Sequence, residues 1–104
     1  MNVISNVTDE SANEIILSGE KVVIKFGAKW CSQCRILEPI YDSVASKIKG
    51  VVFAKCDVDN APKFTEDMGI MSLPCVLIFE DGSVSTKLSG YVDESELSDA
   101  ILDV

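Results

Sequence analysis

Residues 21–28, KVVIKFGA, form a continuous β-branched apolar run broken only by Lys25. A run of this kind belongs to a central strand buried on both faces, not to an edge. It leads into residues 32–48, where Ile36, Leu37, Ile40, Val44 and Ile48 recur at helical spacing before Gly50 stops the pattern. Pro39 lies inside this helix and is expected to kink it. A buried strand followed by an amphipathic helix restricts the chain to folds that layer helices on a sheet.

The remaining segments extend the alternation. Residues 2–7, NVISNV, read as a weak first strand, and a helix follows that opens at Thr8, carries Ser11 and acids in its first turn and stops at Gly19. Residues 51–59, VVFAKCDVD, are a third strand, and a short helix runs from Pro62 to Gly69. Residues 75–81, CVLIFED, are a fourth strand, and Asp81-Gly82 is a hairpin signal into SVSTKLSG. In the last helix Asp93 is the N-cap, Glu96 stands three residues on, and Leu97, Ile101 and Leu102 are expected to face inward. The order is β-α-β-α-β-α-β-β-α. It predicts an α/β fold with parallel pairing early, an antiparallel hairpin late, and helices on both faces of a mixed sheet. With 104 residues, 47% of them hydrophobic, the chain is expected to form one domain over 1–104 with a core of its own.

Composition narrows the chemistry. Nine basic residues face 17 acidic ones, a formal charge of −8, which argues against nucleic acid as a partner. There is no histidine, so Cys–His nucleophiles and imidazole metal ligands are excluded. The N-terminal residues show no basic region followed by an apolar run, and no stretch approaches the roughly 20 apolar residues that span a bilayer. The expectation is a cytoplasmic protein without membrane attachment, monomeric by default. In that compartment thiols stay reduced, so the four cysteines are not expected to form two structural disulfides.

Cys31 and Cys34 stand two residues apart at the entrance to the second helix. Unpaired N–H groups and the helix dipole gather positive potential there, which stabilises a thiolate. Cys34 is three residues on and falls on the same helical face. One sulfur can then attack a substrate disulfide and the other can resolve the mixed disulfide. A metal site is the alternative, but two ligands are too few for closed zinc coordination. Cys56 and Cys75 could complete it only by leaving apolar strand patterns, where a free cysteine is an ordinary small hydrophobe. No metal and no bound cofactor is expected.

The segments VVIKFGAKWCSQCRILEPIYD, VVFAKCDVDNAP, GIMSLPCVLIFEDG and LSGY together resemble the thioredoxin family in order, spacing and flanking residues, over nearly the whole chain. The resemblance implies the thioredoxin fold, a central mixed five-stranded sheet flanked by four helices. It implies a thiol–disulfide oxidoreductase that reduces partner proteins, with Cys31 as nucleophile and Cys34 as resolving thiol, and with a thioredoxin reductase as electron source. Trp30 matches the family's tryptophan beside the site. Pro74 matches its cis proline, and Leu73 before it would offer backbone groups to an extended peptide. Gly90 matches the glycine that lets a substrate backbone approach, and Val58, Ser72 and Tyr91 fall on the substrate-facing surface. For Val58 and Tyr91, ordinary packing is an equal alternative.

Several positions depart from the family pattern. Ser32-Gln33 replaces the usual Gly-Pro between the cysteines. Gln33 restores an N–H that proline lacks, which predicts a better stabilised thiolate and a more oxidising couple. Lys25 stands where the family usually has a buried acid. Burying an unpaired charge is costly, so the lysine must find a partner. It either reaches the strand end and a surface acid, or sits beneath Cys34 and favours the thiolate or takes its proton. Lys55 would be a second positive neighbour. Gly27 stands where the family more often has an aromatic residue, and is expected to leave a hollow beside Trp30 or to mark a bulge. Cys56 and Cys75 are expected to be structural, with Cys75 facing away from Cys31 because neighbouring strand residues alternate. These departures keep a rival reading open, a redox-silent binding or assembly module on the same fold.

Overall fold

The computed structural model describes residues 4–103. In chain order the elements are β1 (Ser5–Asn6), α1 (Ala12–Ile16), β2 (Lys21–Gly27), α2 (Ser32–Lys47), β3 (Val52–Asp57), α3 (Pro62–Asp67), β4 (Cys75–Glu80), β5 (Ser83–Ser89) and α4 (Glu94–Leu102). The strands form one sheet in the order β1-β3-β2-β4-β5. β3 pairs parallel with both β1 and β2, whereas β4 is antiparallel to both β2 and β5. The apolar run of β2 is therefore the middle strand, and Val22 to Phe26 are all buried.

Alternation along β2 divides the core. Val22, Ile24 and Phe26 pack on one face with Ala12 and Ile16 of α1 and Phe64 of α3. Val23 packs on the other with Leu37, Tyr41 and Val44 of α2 and Leu97 and Ile101 of α4. Lys25 has the parity of Val23 and so points toward α2.

Local signals behave as their chemistry requires. Asp81 and Gly82 both take positive φ, 52° and 85°, and turn β4 into β5 in two residues, with Glu80 opposite Ser83. Asp93 accepts from the Glu96 N–H at 2.8 Å, and the Glu96 side chain accepts from the Asp93 N–H at 3.3 Å, a complete capping box. Thr8 opens the first turn, its carbonyl accepting from Ala12 and its hydroxyl from Ser11. The helix proper is short and ends at Ile16, where Ser18 bonds back to the Ile15 carbonyl.

Other expectations need correction. The first strand pairs only at Ser5 and Asn6 among the described residues, and residues 2 and 3 of the predicted strand lie outside them. Ile36 and Leu102 are exposed. The inward stripe of α2 instead runs through Leu37, Tyr41 and Val44, with Tyr41 reaching the carbonyls of Val23 and Ala54 across the sheet. α2 spans Ser32–Lys47 with Pro39 inside it, as the sequence pattern predicts. Among the described residues, no helix is long and apolar enough to cross a membrane.

Candidate active site

β2 ends at Gly27, and residues 28–30 carry the chain to Cys31, the N-cap of α2. The Cys31 N–H donates to the Ala28 carbonyl, and Cys31 Sγ accepts from the Cys34 N–H at 3.3 Å. The Arg35 guanidinium donates to the Lys29 carbonyl at 2.9 Å and ties the loop to the helix. Cys31 is partly exposed at the N-terminus of α2. The N–H that reaches this sulfur belongs to Cys34, which a proline at position 33 would leave in place. The extra N–H of Gln33 thus gives no support to a more oxidising couple. Ser32 and Gln33 are both exposed.

Cys34 is buried behind Cys31. Burial pushes its thiol up to about 11, with the Cys31 side chain adding to the rise; the Ala28 backbone and the charge of Lys25 pull the other way. Gly27 makes this packing possible. A β-carbon there would stand 3.3 Å from Cys34 Sγ and 3.4 Å from its Cβ. The glycine is not a bulge, since the pairing with β3 continues in register to Gly27 opposite Asp57.

Below Cys34 lies a cluster of four charges. Lys25 and Lys55 are opposite each other on β2 and β3. Lys25 Nζ donates to Glu38 Oε2 at 2.5 Å, Lys55 Nζ donates to Glu38 Oε1, and Lys55 also bonds Asp42 at 2.8 Å. The Tyr41 ring centroid lies 5.5 Å from Lys25 Nζ. Burial raises the Glu38 carboxyl, but the bonds and charges of the two lysines outweigh it and hold the group below the ordinary range. Burial likewise lowers Lys55, and its two carboxylate partners reverse the sign. Glu38 is four residues after Cys34 on the same helix, so the sequence carried the signal for a carboxylate one turn below the sulfur.

A cavity of about 630 Å³ opens beside this cluster, walled in part by Gly27, Cys34, Pro39 and Cys56. Four of the chain's nine basic residues, Lys25, Lys29, Arg35 and Lys55, also line it. In a chain of net charge −8 this concentrates positive charge next to Cys34. The hollow expected from Gly27 is present, but Trp30 is not part of its wall.

Trp30 and Cys31 instead border a second groove, of about 300 Å³, with Val58, Met71, Ser72 and Leu73. Trp30 is 70% exposed, and its indole N–H donates to Asp59 at 3.0 Å. Met71, 94% exposed, and Ile70 were missed in the sequence, where GIMSLP shows them only as neighbours of Pro74. The Leu73–Pro74 bond is cis, and Pro74 is buried. The Gly90 N–H donates to the Pro74 carbonyl at 2.8 Å, with Gly90 at φ 82°. Tyr91 is exposed next to Gly90, and neither residue lines the groove.

The other two cysteines sit on the face of the sheet turned away from α2. Cys56 and Cys75 both pair with Phe26, one from each side. Two strand spacings separate them, about 10 Å, too far for a disulfide, which needs Cα atoms within roughly 7 Å. Burial pushes Cys56 up to about 11 and raises Cys75 as well.

A partly exposed sulfur at a helix mouth, a second sulfur one turn behind it and a groove alongside are the geometry of a dithiol able to exchange with disulfides. The comparisons agree. A family model described as Thioredoxin matches residues 3–103. The thioredoxin of Mycoplasmoides gallisepticum is 36% identical over 89 residues, 86% of this chain and 89% of that protein. That of Rickettsia prowazekii is 33% identical over 101 residues, 95% and 96% of the two chains. The solved structure of Plasmodium falciparum thioredoxin superimposes with a TM-score of 0.89 at 31% identity, covering 96% of this chain and 98% of that one. The chain belongs to the thioredoxin family. It is a thiol–disulfide oxidoreductase, a protein-disulfide reductase.

Proposed function

We propose that Cys31 opens the exchange and Cys34 closes it. Cys31, as thiolate, attacks one sulfur of a partner's disulfide, and the partner's other sulfur leaves and takes up a proton. Cys34 then loses its proton and attacks Cys31 Sγ, and the partner's remaining sulfur leaves as a thiol. The partner gains two electrons and two protons; this chain is left with a Cys31–Cys34 disulfide. The observation that carries the assignment is the Cys34 N–H bonded to a partly exposed Cys31 Sγ at the N-cap.

Supporting roles follow from placement. Trp30, Val58, Ser72 and Leu73 border the groove next to Cys31, where an extended peptide can lie with its backbone against residues 73 and 74. Lys25 acts as a fixed charge. An ammonium donating to Glu38 has no free lone pair with which to take the proton of Cys34. Regeneration needs a dithiol donor, and family membership makes a thioredoxin reductase the natural one. The same reading carries a monomer in the cytoplasm, supported by two buried thiols, Cys56 and Cys75, that suit a reducing compartment.

Insulin reduction by dithiothreitol tests the assignment. The wild type is expected to accelerate it, Cys31→Ser to abolish the acceleration, and Cys34→Ser to accumulate a mixed disulfide with the substrate. Full turnover by Cys31→Ser would overturn the reading and favour a scaffold whose cysteines are silent.

A further inference from the structure

The resolving thiol has two neighbours of opposite sign that share one bond. Lys25 comes from β2 and lowers the cost of charge on Cys34. Glu38 comes from α2, one helical turn after Cys34, and takes the Lys25 ammonium at 2.5 Å. Lys55 and Asp42 complete the cluster, so two cations and two anions balance. The other charged groups lining the same cavity are Lys29, Arg35 and Asp57. The Lys25 side chain is almost wholly buried, where charges are weakly screened, so whatever neutralises it is felt at the sulfur.

We propose that Glu38 is a positioning residue that limits the thiolate-stabilising effect of Lys25 on Cys34, and so keeps the resolving sulfur protonated until Cys31 has entered a mixed disulfide. This rests on the reading of Cys34 as the resolving thiol. The physical content is a sign. A carboxylate in the place of a general base would speed deprotonation of Cys34, and removing it would slow the step. A carboxylate that cancels Lys25 does the reverse. Bonded to two lysines and held below the ordinary carboxyl range, Glu38 is a weak base and an effective counter-charge.

Neutralising Glu38 therefore acidifies Cys34, because the field of the Lys25 ammonium on the sulfur is no longer offset.

The test is a titration of Cys34 by NMR of cysteine β-carbons in the Cys31→Ser protein, a readout independent of turnover. Glu38→Gln is expected to lower the Cys34 pKa by about one unit, roughly tenfold more thiolate at a fixed pH. Glu38→Asp keeps the charge and is expected to stay within about threefold of the parent. In a Lys25→Met background the effect of Glu38→Gln is expected to fall by at least half. An unchanged or raised Cys34 pKa in Glu38→Gln overturns the proposal, as does an effect of equal size with and without Lys25. The first comparison decides the sign even if the Lys25→Met protein does not fold. Loss of insulin reduction in the wild type would instead fall on the functional reading.

Discussion

Lys25 Nζ stands 2.5 Å from Glu38 Oε2, yet the lysine side chain is 4% exposed and the glutamate 46%. The pair is lopsided, so cutting it from the two ends has different costs. Without Lys25, Glu38 keeps water and Lys55. Without Glu38, a buried ammonium loses its acceptor. Lys25→Met is expected to change stability by about 1 kcal/mol or less, since apolar groups replace buried ion pairs at little net cost. Glu38→Ala is expected to destabilise by about 1–3 kcal/mol. Urea unfolding of the two variants checks the order, and a larger loss for Lys25→Met contradicts it.

Alkylation separates the four cysteines. Burial pushes the Cys34 thiol up to about 11, so at pH 8 it stays protonated and reacts slowly. Cys56 and Cys75 are buried as well. Native reduced protein treated briefly with iodoacetamide is expected to carry one label, on Cys31, and four after unfolding. Oxidised protein is expected to keep two alkylable thiols, Cys56 and Cys75, once unfolded. Rapid native labelling of Cys34 would contradict the arrangement.

Acid should act through Glu38. Its carboxyl lies below the ordinary 4.5 in the folded chain, so its contribution to stability is complete above about 4.5 and is lost as pH falls through the lowered value. Lys55 has the opposite sign. Raised above 10.5 when folded, it contributes below 10.5 and loses that contribution as pH rises through the raised value. Between pH 6 and pH 3, the urea midpoint of the wild type is expected to drop further than that of Glu38→Gln. Parallel curves would show that the carboxylate contributes nothing in acid.

Gly27 is fitted against Cys34. A methyl group at this position meets Cys34 Sγ at 3.3 Å, closer than ordinary van der Waals contact. Gly27→Ala is expected to destabilise the reduced protein by about 1 kcal/mol, as overpacking does. Denaturant titration of the reduced form measures it, and a gain in stability would mean that Cys34 moves aside freely.

The sheet and its crossovers were legible because each depends on local pattern. The β2 run, the Asp81-Gly82 turn and the Asp93–Glu96 box each state their structure within a few residues. The edges of the pattern were not. Ile36 and Tyr41 both fit a helical period near the α2 stripe, and only the position of the sheet decides that Tyr41 enters and Ile36 does not. At the site, the CxxC announced itself, and Lys25 was visible as an anomaly. The spacing of Glu38 from Cys34 places a carboxylate one turn below the sulfur, but its bond to Lys25, 13 residues away, comes only from the docking of α2 on β2. The groove residues Ile70 and Met71 were hidden for the same reason.

Both margins of the sheet are poor templates for another chain. One is β1, two residues long among the described residues; the other is β5, whose partner slips register between Ile78 and Phe79 and whose side chains include exposed Ser83, Ser85, Lys87 and Ser89. Short, bulged and charged margins resist the runaway strand-to-strand stacking that leads to fibrils. In the proposed reading, the backbone offered to an extended peptide lies beside the groove at Leu73, away from both margins.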